Sequence, residues 1–223
     1  MKLLRRATAV TALSLGVLFV LRLSGTIWPD LTAGRAAAGV AASIHLFTGA
    51  AWVAFFLALR EAWVGRHRPA LRWAAAAAAA GSAVALLPVV RNLLLPLDLA
   101  LLARSDRGAW VEAWAPFVGI LAVLAFFVTL LRHLEEGAER EALRRPATAA
   151  LAACVALATL HALLLASWLT SGEQSWLTEL GPAATRATLP LMLAILFALL
   201  WFFGSFYRFL VAGDGIGREL PPS

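Results

Sequence analysis

Residues 43–56 have the sequence SIHLFTGAAWVAFF, and the interpretation of the whole chain starts from this stretch. At the 3.6-residue period of a helix, His45, Gly49, Trp52 and Phe56 fall along one face. This face combines a titratable imidazole, a position without a side chain and two aromatic rings inside an apolar helix. An ionisable residue at such a depth indicates a functional site, so this helix is the first candidate for chemistry.

The composition predicts an integral membrane protein. Of the 223 residues, 61% are hydrophobic, and the mean hydropathy is +0.81. A water-soluble core needs far less apolar surface, and the charges cluster between long apolar runs. A net charge of +6 would suggest nucleic acid in a soluble chain. Here the basic residues lie where cytoplasmic loops would be, so we expect a lipid bilayer and no nucleic acid as partner.

We predict an all-α bundle with six transmembrane spans in one domain, residues 1–211, followed by a disordered tail, residues 212–223. The first span resembles a signal peptide, but no small-x-small cleavage site precedes Trp28, so we expect it to be retained, with cleavage as the alternative. The predicted spans cover residues 4–27, 36–59, 73–90, 114–131, 147–170 and 187–211.

Three stretches that border or connect the predicted spans lead to separate structural predictions. Pro88 and Pro96 should end or bend the third helix. Residues 93–104 are apolar but too short to span, so we expect an interfacial or re-entrant segment. Residues 171–186 are polar and predict a loop. In the third span, residues 74–83 are almost all alanine, which predicts close contact with a neighbouring helix.

The distribution of Lys and Arg predicts that both termini are cytoplasmic. Six spans put the two ends on one side, and thirteen of the nineteen basic residues fall on that side. We therefore expect a multi-pass protein of a bacterial plasma membrane.

Cysteine labelling tests this orientation. In a Cys154→Ala background, a cysteine placed at residue 178 should react with an impermeant reagent added outside, and one at residue 66 should not. Labelling at 66 without labelling at 178 would reverse the orientation.

Two histidines fall at a similar predicted depth. His45 lies nine residues inside the start of the second span, and His161 lies nine residues inside the end of the fifth. At 1.5 Å per residue, both imidazoles lie about 13 Å below the outer boundary. Gly49 leaves room for a flat ring, and Arg91 is one of the groups at the outer helix ends that could hold propionates. This pattern predicts a b-type haem between the second and fifth helices, with a redox role.

Other interpretations of the histidines stay open. A transmembrane histidine is often a packing residue that bonds to a neighbouring helix, and it can also bind a metal ion or belong to a proton path. Copper would have His45, His161 and Met192 as its ligands, although Cu(I) prefers thiolates and the one cysteine, Cys154, lies deeper. The third possibility is a structural or assembly subunit that packs against other membrane subunits.

The string His45-x3-Gly49-x2-Trp52 resembles the His-x3-Gly-x2-Trp-x-Gly pattern of copper-resistance D-type membrane proteins and related multi-helix families, some of them haem-associated. Ala54 replaces the second glycine, and the resemblance covers one helix of six. It implies a bundle that handles copper or haem near its outer face, with His45 as the residue that carries over.

The sequence gives little support for enzyme classes that need intramembrane carboxylates or phosphate-binding loops. The spans contain no acidic residues, and the sequence contains no Walker loop, no dinucleotide-binding glycine fingerprint and no HExxH. The acidic residues of the charged loop after the fourth span instead form a solvated face; they are Glu135, Glu136, Glu139 and Glu141. A catalytic residue is therefore not predicted.

Overall fold

The structure, a computed structural model, describes residues 2–27, 35–62, 69–94, 106–134, 141–171 and 175–216. These residues are all helical except Leu86, which lies at a turn, so the predicted all-α fold is confirmed for the described part. The helices are α1 (Lys2–Ile27), α2 (Arg35–Ala62), α3 (Pro69–Ala85), α4 (Leu87–Leu94), α5 (Asp106–Leu134), α6 (Glu141–Ser171) and α7 (Ser175–Ile216).

Six segments within the described residues are long and apolar enough to cross a membrane, which supports a multi-pass membrane protein. They match the six predicted spans, and the cytoplasmic location of the termini stays a prediction. The segments are Lys2–Ser24, Gly39–Glu61, Pro69–Val90, Trp114–Leu134, Ala142–Leu163 and Pro190–Ala212.

The structure corrects one predicted loop. We expected a polar loop over residues 171–186, but α7 already begins at Ser175 and runs to Ile216. Hydropathy marks only the part of a helix that lipid can surround, whereas the backbone hydrogen bonds of a helix continue through polar sequence. Residues 95–105, with most of the expected re-entrant segment, and residues 217–223 of the expected tail lie outside the described residues.

The structure shows a break in the helix near Pro88, where the sequence predicted an end or a bend. The chain leaves α3 at Ala85 and starts α4 at Leu87. The Leu86 N–H donates to the carbonyl of Ala83 at 3.2 Å, a tighter turn than the α-helix makes. Because proline has no N–H for an intrahelical bond, α3 ends before Pro88 and a new helix begins with Pro88 in its first turn.

The six long helices form a closed ring. Each packs against its neighbours in the order α1, α2, α3, α5, α6, α7, and α7 packs back against α1. The Arg5 guanidinium donates to the carbonyl of Leu210 at 2.7 Å, so the first turns of α1 lie beside the last turns of α7. We call this end of the ring the basal end and the opposite end the distal end. The sequence predicts that the basal end is cytoplasmic.

The ring consists of three helical hairpins with the same pattern of buried residues. The first helix of each hairpin starts with a buried leucine followed by arginine, at Leu4, Leu71 and Leu143. The positions four, seven, ten and eleven residues later are buried in all three helices. They are Thr8, Thr11, Ser14 and Leu15 in α1; Ala75, Ala78, Gly81 and Ser82 in α3; and Ala147, Ala150, Ala153 and Cys154 in α6.

The second helix of each hairpin contributes a pair of phenylalanines to the centre of the ring. Edge-on contacts join the three helices: the ring centroids of Phe55 and Phe203 are 4.8 Å apart, and those of Phe56 and Phe126 are 4.9 Å apart. Tilted and edge-to-face pairs are favourable because the ring edge is positive and the ring face negative. We call this cluster the aromatic core; it comprises Phe55, Phe56, Phe126, Phe127, Phe202, Phe203 and Phe206, all at most 1% exposed.

Small residues hold the second hairpin together. A Cβ atom added at Gly81 would lie 2.5 Å from the Cβ of Ala122 and 3.3 Å from the Cα of Gly119. Close approach of backbones is how transmembrane helices gain dispersion contact in the absence of a hydrophobic driving force. The close contact that the alanine-rich sequence predicted is therefore confirmed, and α5 is the partner helix.

Candidate functional site

The distal ends of four helices carry polar or ligating side chains that continue the buried stripes. On α1, buried residues recur at intervals of three or four from Leu4 to Leu18, and the next position is Arg22. On α6 the same spacing from Leu143 leads to His161. Both residues lie eighteen positions after the leucine that starts the stripe, so they occupy equivalent places in two hairpins.

The second helices of the hairpins contribute two more residues in the same way. His45 lies ten residues before Phe55, and Met192 lies ten residues before Phe202. At 1.5 Å per residue, both are about 15 Å from the phenylalanine level toward the distal end. His45 is half-buried, and Met192 packs against the buried core of the ring.

These four residues belong to consecutive helices of the ring, in the order α6, α7, α1, α2. We call them the distal arc: His161, Met192, Arg22 and His45. The equivalent positions in the second hairpin are Val89 and Pro116, which cannot bind a ligand through a side chain. The distal arc is therefore confined to the first and third hairpins, and the aromatic core closes the ring below it.

Two polar contacts orient the imidazole ring of His45. Its Nδ1 lies 2.7 Å from the carbonyl oxygen of Ala41, and its Nε2 lies 3.4 Å from an Nη atom of Arg22. A carbonyl only accepts and a guanidinium only donates, so Nδ1 carries the hydrogen and Nε2 accepts a long hydrogen bond from Arg22. In this arrangement the Nε2 lone pair of His45 is directed at the guanidinium of α1.

His161 makes the corresponding bond on α6, where its Nδ1 lies 3.3 Å from the carbonyl oxygen of Leu157. A ligating histidine usually holds its other ring nitrogen in this way. His133, at the basal end of α5, forms the same bond to Thr129 at 2.8 Å. Histidines in these helices commonly form this hydrogen bond, so the bond does not by itself identify a ligand.

The structure brings together some of the predicted site residues and separates others. His45 and His161 both lie toward the distal end and are half-buried, but α2 and α6 are not neighbours in the ring, since α1 and α7 lie between them. Met192 belongs to α7, which packs directly against α6. Arg91 falls within α4, and its side chain lies outside the part that the structure describes.

Gly49 does not leave the open space that the sequence indicated. A Cβ atom built on Gly49 would collide with the side chain of Leu86, at the break between α3 and α4. The glycine therefore serves to admit Leu86 against α2. A flat ring beside His45 would have to lie on the side of α1 rather than over Gly49.

Sequence reasoning missed Arg22 as a member of the site. The pattern that identifies Arg22 is a spacing of three and four residues along α1. It runs from Leu4 through Thr8, Thr11, Leu15 and Leu18 to Arg22. The threefold repetition was also missed; the recurring Leu-Arg and Phe-Phe pairs could have shown it.

A metal cluster built from acidic, histidine and cysteine side chains is not present among the described residues, where no three such groups lie together. Cys154 is buried without a disulfide partner in the same part of the chain. Comparison of the chain with family models, with curated proteins and with solved structures gives no match.

Proposed function

We propose that this membrane protein binds b-type haem in the distal half of the ring and has a redox role there. The observation that supports this proposal is the distal arc, in which two imidazoles, a thioether and a guanidinium follow one another on four consecutive helices. His/His and His/Met pairs are the axial ligand sets of electron-transfer haems in helical proteins.

The side chains of the distal arc suit a haem group. Each histidine uses Nδ1 in a backbone hydrogen bond, so Nε2 would be the nitrogen that holds the iron. Arg22 is exposed and in reach of His45, so its side chain can turn from the imidazole to a propionate carboxylate. When bound, haem would supply one-electron redox chemistry. The protein's own part is to hold the iron ligands, to neutralise the propionates and to exclude water with the aromatic core.

Copper handling is the second candidate, because Met192 and His161 lie on neighbouring helices and form a mixed thioether and imidazole pair. Arg22 has no part in such a pair. Arginine stays charged in proteins, and its guanidinium, 3.4 Å from His45 Nε2, favours an anionic group such as a haem propionate. The arc therefore supports haem better than copper. A purely structural subunit would need none of these groups.

The visible spectrum of protein purified from haem-replete cells tests the proposal. We expect a Soret band and a sharp α-band after reduction, and we expect His45→Ala and His161→Ala to abolish or shift both bands. Arg22→Gln should weaken haem retention, because a neutral amide does not offset the propionate charge.

His133→Ala is the matched control, since it removes a helical histidine with the same backbone bond at the other end of the ring. Its spectrum should equal that of the wild type. A colourless wild-type protein would eliminate the haem proposal. Copper that stays through dialysis and is lost in both the His45 and the His161 variant would then support the second candidate.

A further inference from the structure

Each of the six apolar spans has an arginine just inside its basal end. Between this arginine and the last residue of the span there is an offset of at most four residues. At 1.5 Å per residue, each arginine Cα therefore lies within about 6 Å of the end of its span. We call these six residues the basal arginine ring; they are Arg5, Arg72 and Arg144 in the first helices of the hairpins and Arg60, Arg132 and Arg208 in the second helices.

The basal arginine ring repeats with the hairpins. In each first helix, the arginine is the fourth helical residue and directly follows the buried leucine. Neighbouring hairpins meet where α2 packs against α3, α5 against α6, and α7 against α1. Each of these three boundaries has one arginine on either side of it at the basal end. The three pairs are Arg60 with Arg72, Arg132 with Arg144, and Arg208 with Arg5.

Exposed aromatic residues indicate where this ring lies in the bilayer. Trp73 directly follows Arg72 and is 74% exposed, and Tyr207 directly precedes Arg208 and is 39% exposed. Exposed Trp and Tyr residues at the ends of transmembrane helices lie at the level of the lipid head groups. The arginines next to them in the same helices therefore lie at the head-group level too.

The carboxylates of the protein do not balance the charge of this end. The described residues of the basal end include nine Lys or Arg residues and three Asp or Glu residues. Glu61 lies 3.7 Å from Arg60, but its own side chain is 71% exposed. Arginine stays charged in proteins, so the basal end keeps a positive charge inside the apolar spans. Four members of the ring are exposed: Arg72, Arg132, Arg144 and Arg208.

The orientation of the chain does not require arginines inside the spans, because basic residues in the connecting segments are enough to set it. At the distal end, three arginines of α2, α5 and α7 lie four to seven residues outside the spans; they are Arg35, Arg107 and Arg186. A charge inside an apolar span is unfavourable unless water or an anion reaches it. The position of the basal arginines therefore calls for an anionic partner at the head-group level.

We propose that the basal arginine ring binds anionic phospholipids, with one head group at each of the three boundaries between hairpins. A guanidinium forms paired, charge-assisted hydrogen bonds with a phosphate, and lipids with net negative charge are attracted to basic residues at the membrane surface. The apolar part of each arginine lies along its span while the guanidinium reaches the head groups. An acidic protein segment would approach from water and meet the connecting loops first, whereas a lipid phosphate already lies at the level of the ring.

Electron paramagnetic resonance of spin-labelled lipids tests this proposal. The purified protein is reconstituted in phosphatidylcholine bilayers that contain a trace of spin-labelled phosphatidylglycerol or spin-labelled phosphatidylcholine. The fraction of label with restricted motion measures how strongly the protein holds each lipid. We expect the wild type to hold phosphatidylglycerol several-fold more strongly than phosphatidylcholine. High salt should reduce this preference, because it screens the charges.

Neutral variants show whether the basal arginine ring causes the preference. One variant removes the arginine of the second helix at every boundary and should lose most of the preference; it combines Arg60→Gln, Arg132→Gln and Arg208→Gln. The variant of the first helices should behave in the same way; it combines Arg5→Gln, Arg72→Gln and Arg144→Gln. Arg5 also bonds to the Leu210 carbonyl, so the variant of the second helices keeps the test valid if the other fails to fold.

The matched control removes the same charge from the distal end and should keep the preference of the wild type. It combines Arg35→Gln, Arg107→Gln and Arg186→Gln. Equal binding of the two lipids by the wild type, or an equal loss of preference in the control and in the basal variants, would overturn the proposal. Lipid binding needs no cofactor, so a preference for phosphatidylglycerol in a colourless protein supports this proposal while the haem proposal fails.

Discussion

Phe202→Ala is expected to destabilise the ring by about 3 kcal/mol, the lower end of the range for removing a buried phenylalanine side chain. The Phe202 ring contacts rings on α5 and on its own helix, with centroids 4.9 Å from Phe127 and 5.3 Å from Phe203. Lipid chains are as apolar as phenylalanine, so transfer out of water contributes little here. The loss comes from the cavity and from the dispersion contacts that its walls lose.

Phe197→Ala is the matched control on the same helix. This side chain is 60% exposed at the outside of the ring, so its removal leaves no cavity inside the protein. Thermal unfolding in detergent should show a clear loss of stability for Phe202→Ala and almost none for Phe197→Ala. Equal shifts for the two variants would mean that the aromatic core does not hold the ring together.

Gly81→Val is expected to separate α3 from α5. Any Cβ at Gly81 comes within 2.5 Å of the Ala122 Cβ and within 3.5 Å of the Val118 carbonyl oxygen, and neither group is the movable end of a long side chain. Relief requires a shift of the whole helix. Overpacking usually costs about 1–3 kcal/mol, and the rigid surroundings put this substitution at the upper end.

Gly204→Val tests whether the effect depends on the site. Gly204 lies inside α7, and a Cβ built on it meets nothing within 4 Å. Both variants introduce the same β-branched residue into a helix, so their difference isolates the contact of α3 with α5. Size-exclusion profiles and thermal unfolding in detergent should show loss of the folded protein for Gly81→Val only. A comparable loss for Gly204→Val would attribute the effect to valine in a helix.

The internal repetition explains why one ring has three unlike interfaces. The second hairpin closes by backbone contact between Gly81 and Gly119, whereas the equivalent positions of the first hairpin hold the buried hydroxyl residues Ser14 and Thr48. Both arrangements occupy little volume, so both let the phenylalanine pairs meet in the centre. The hairpins can therefore share one fold while only the first and third supply residues to the distal arc.

The amino-acid sequence by itself determined the number and the positions of the six apolar helices. It also predicted the helix break near Pro88 and the close contact of the alanine-rich helix. Each of these features depends on residues close together in the chain: lipid requires about twenty apolar residues in a row, and proline acts on its own turn. The sequence identified His45, His161 and Met192 as candidate ligands for the same local reason.

Only the tertiary structure decided which helices are neighbours. Hydropathy is the same for every order of six helices, so the sequence pattern left open whether α2 meets α6 directly, and the ring places α1 and α7 between them. For the same reason the structure was needed to find Arg22 beside His45 and Leu86 over Gly49. Contacts between residues far apart in the chain depend on how side-chain volumes fit across the ring, and that fit belongs to the whole assembly of helices.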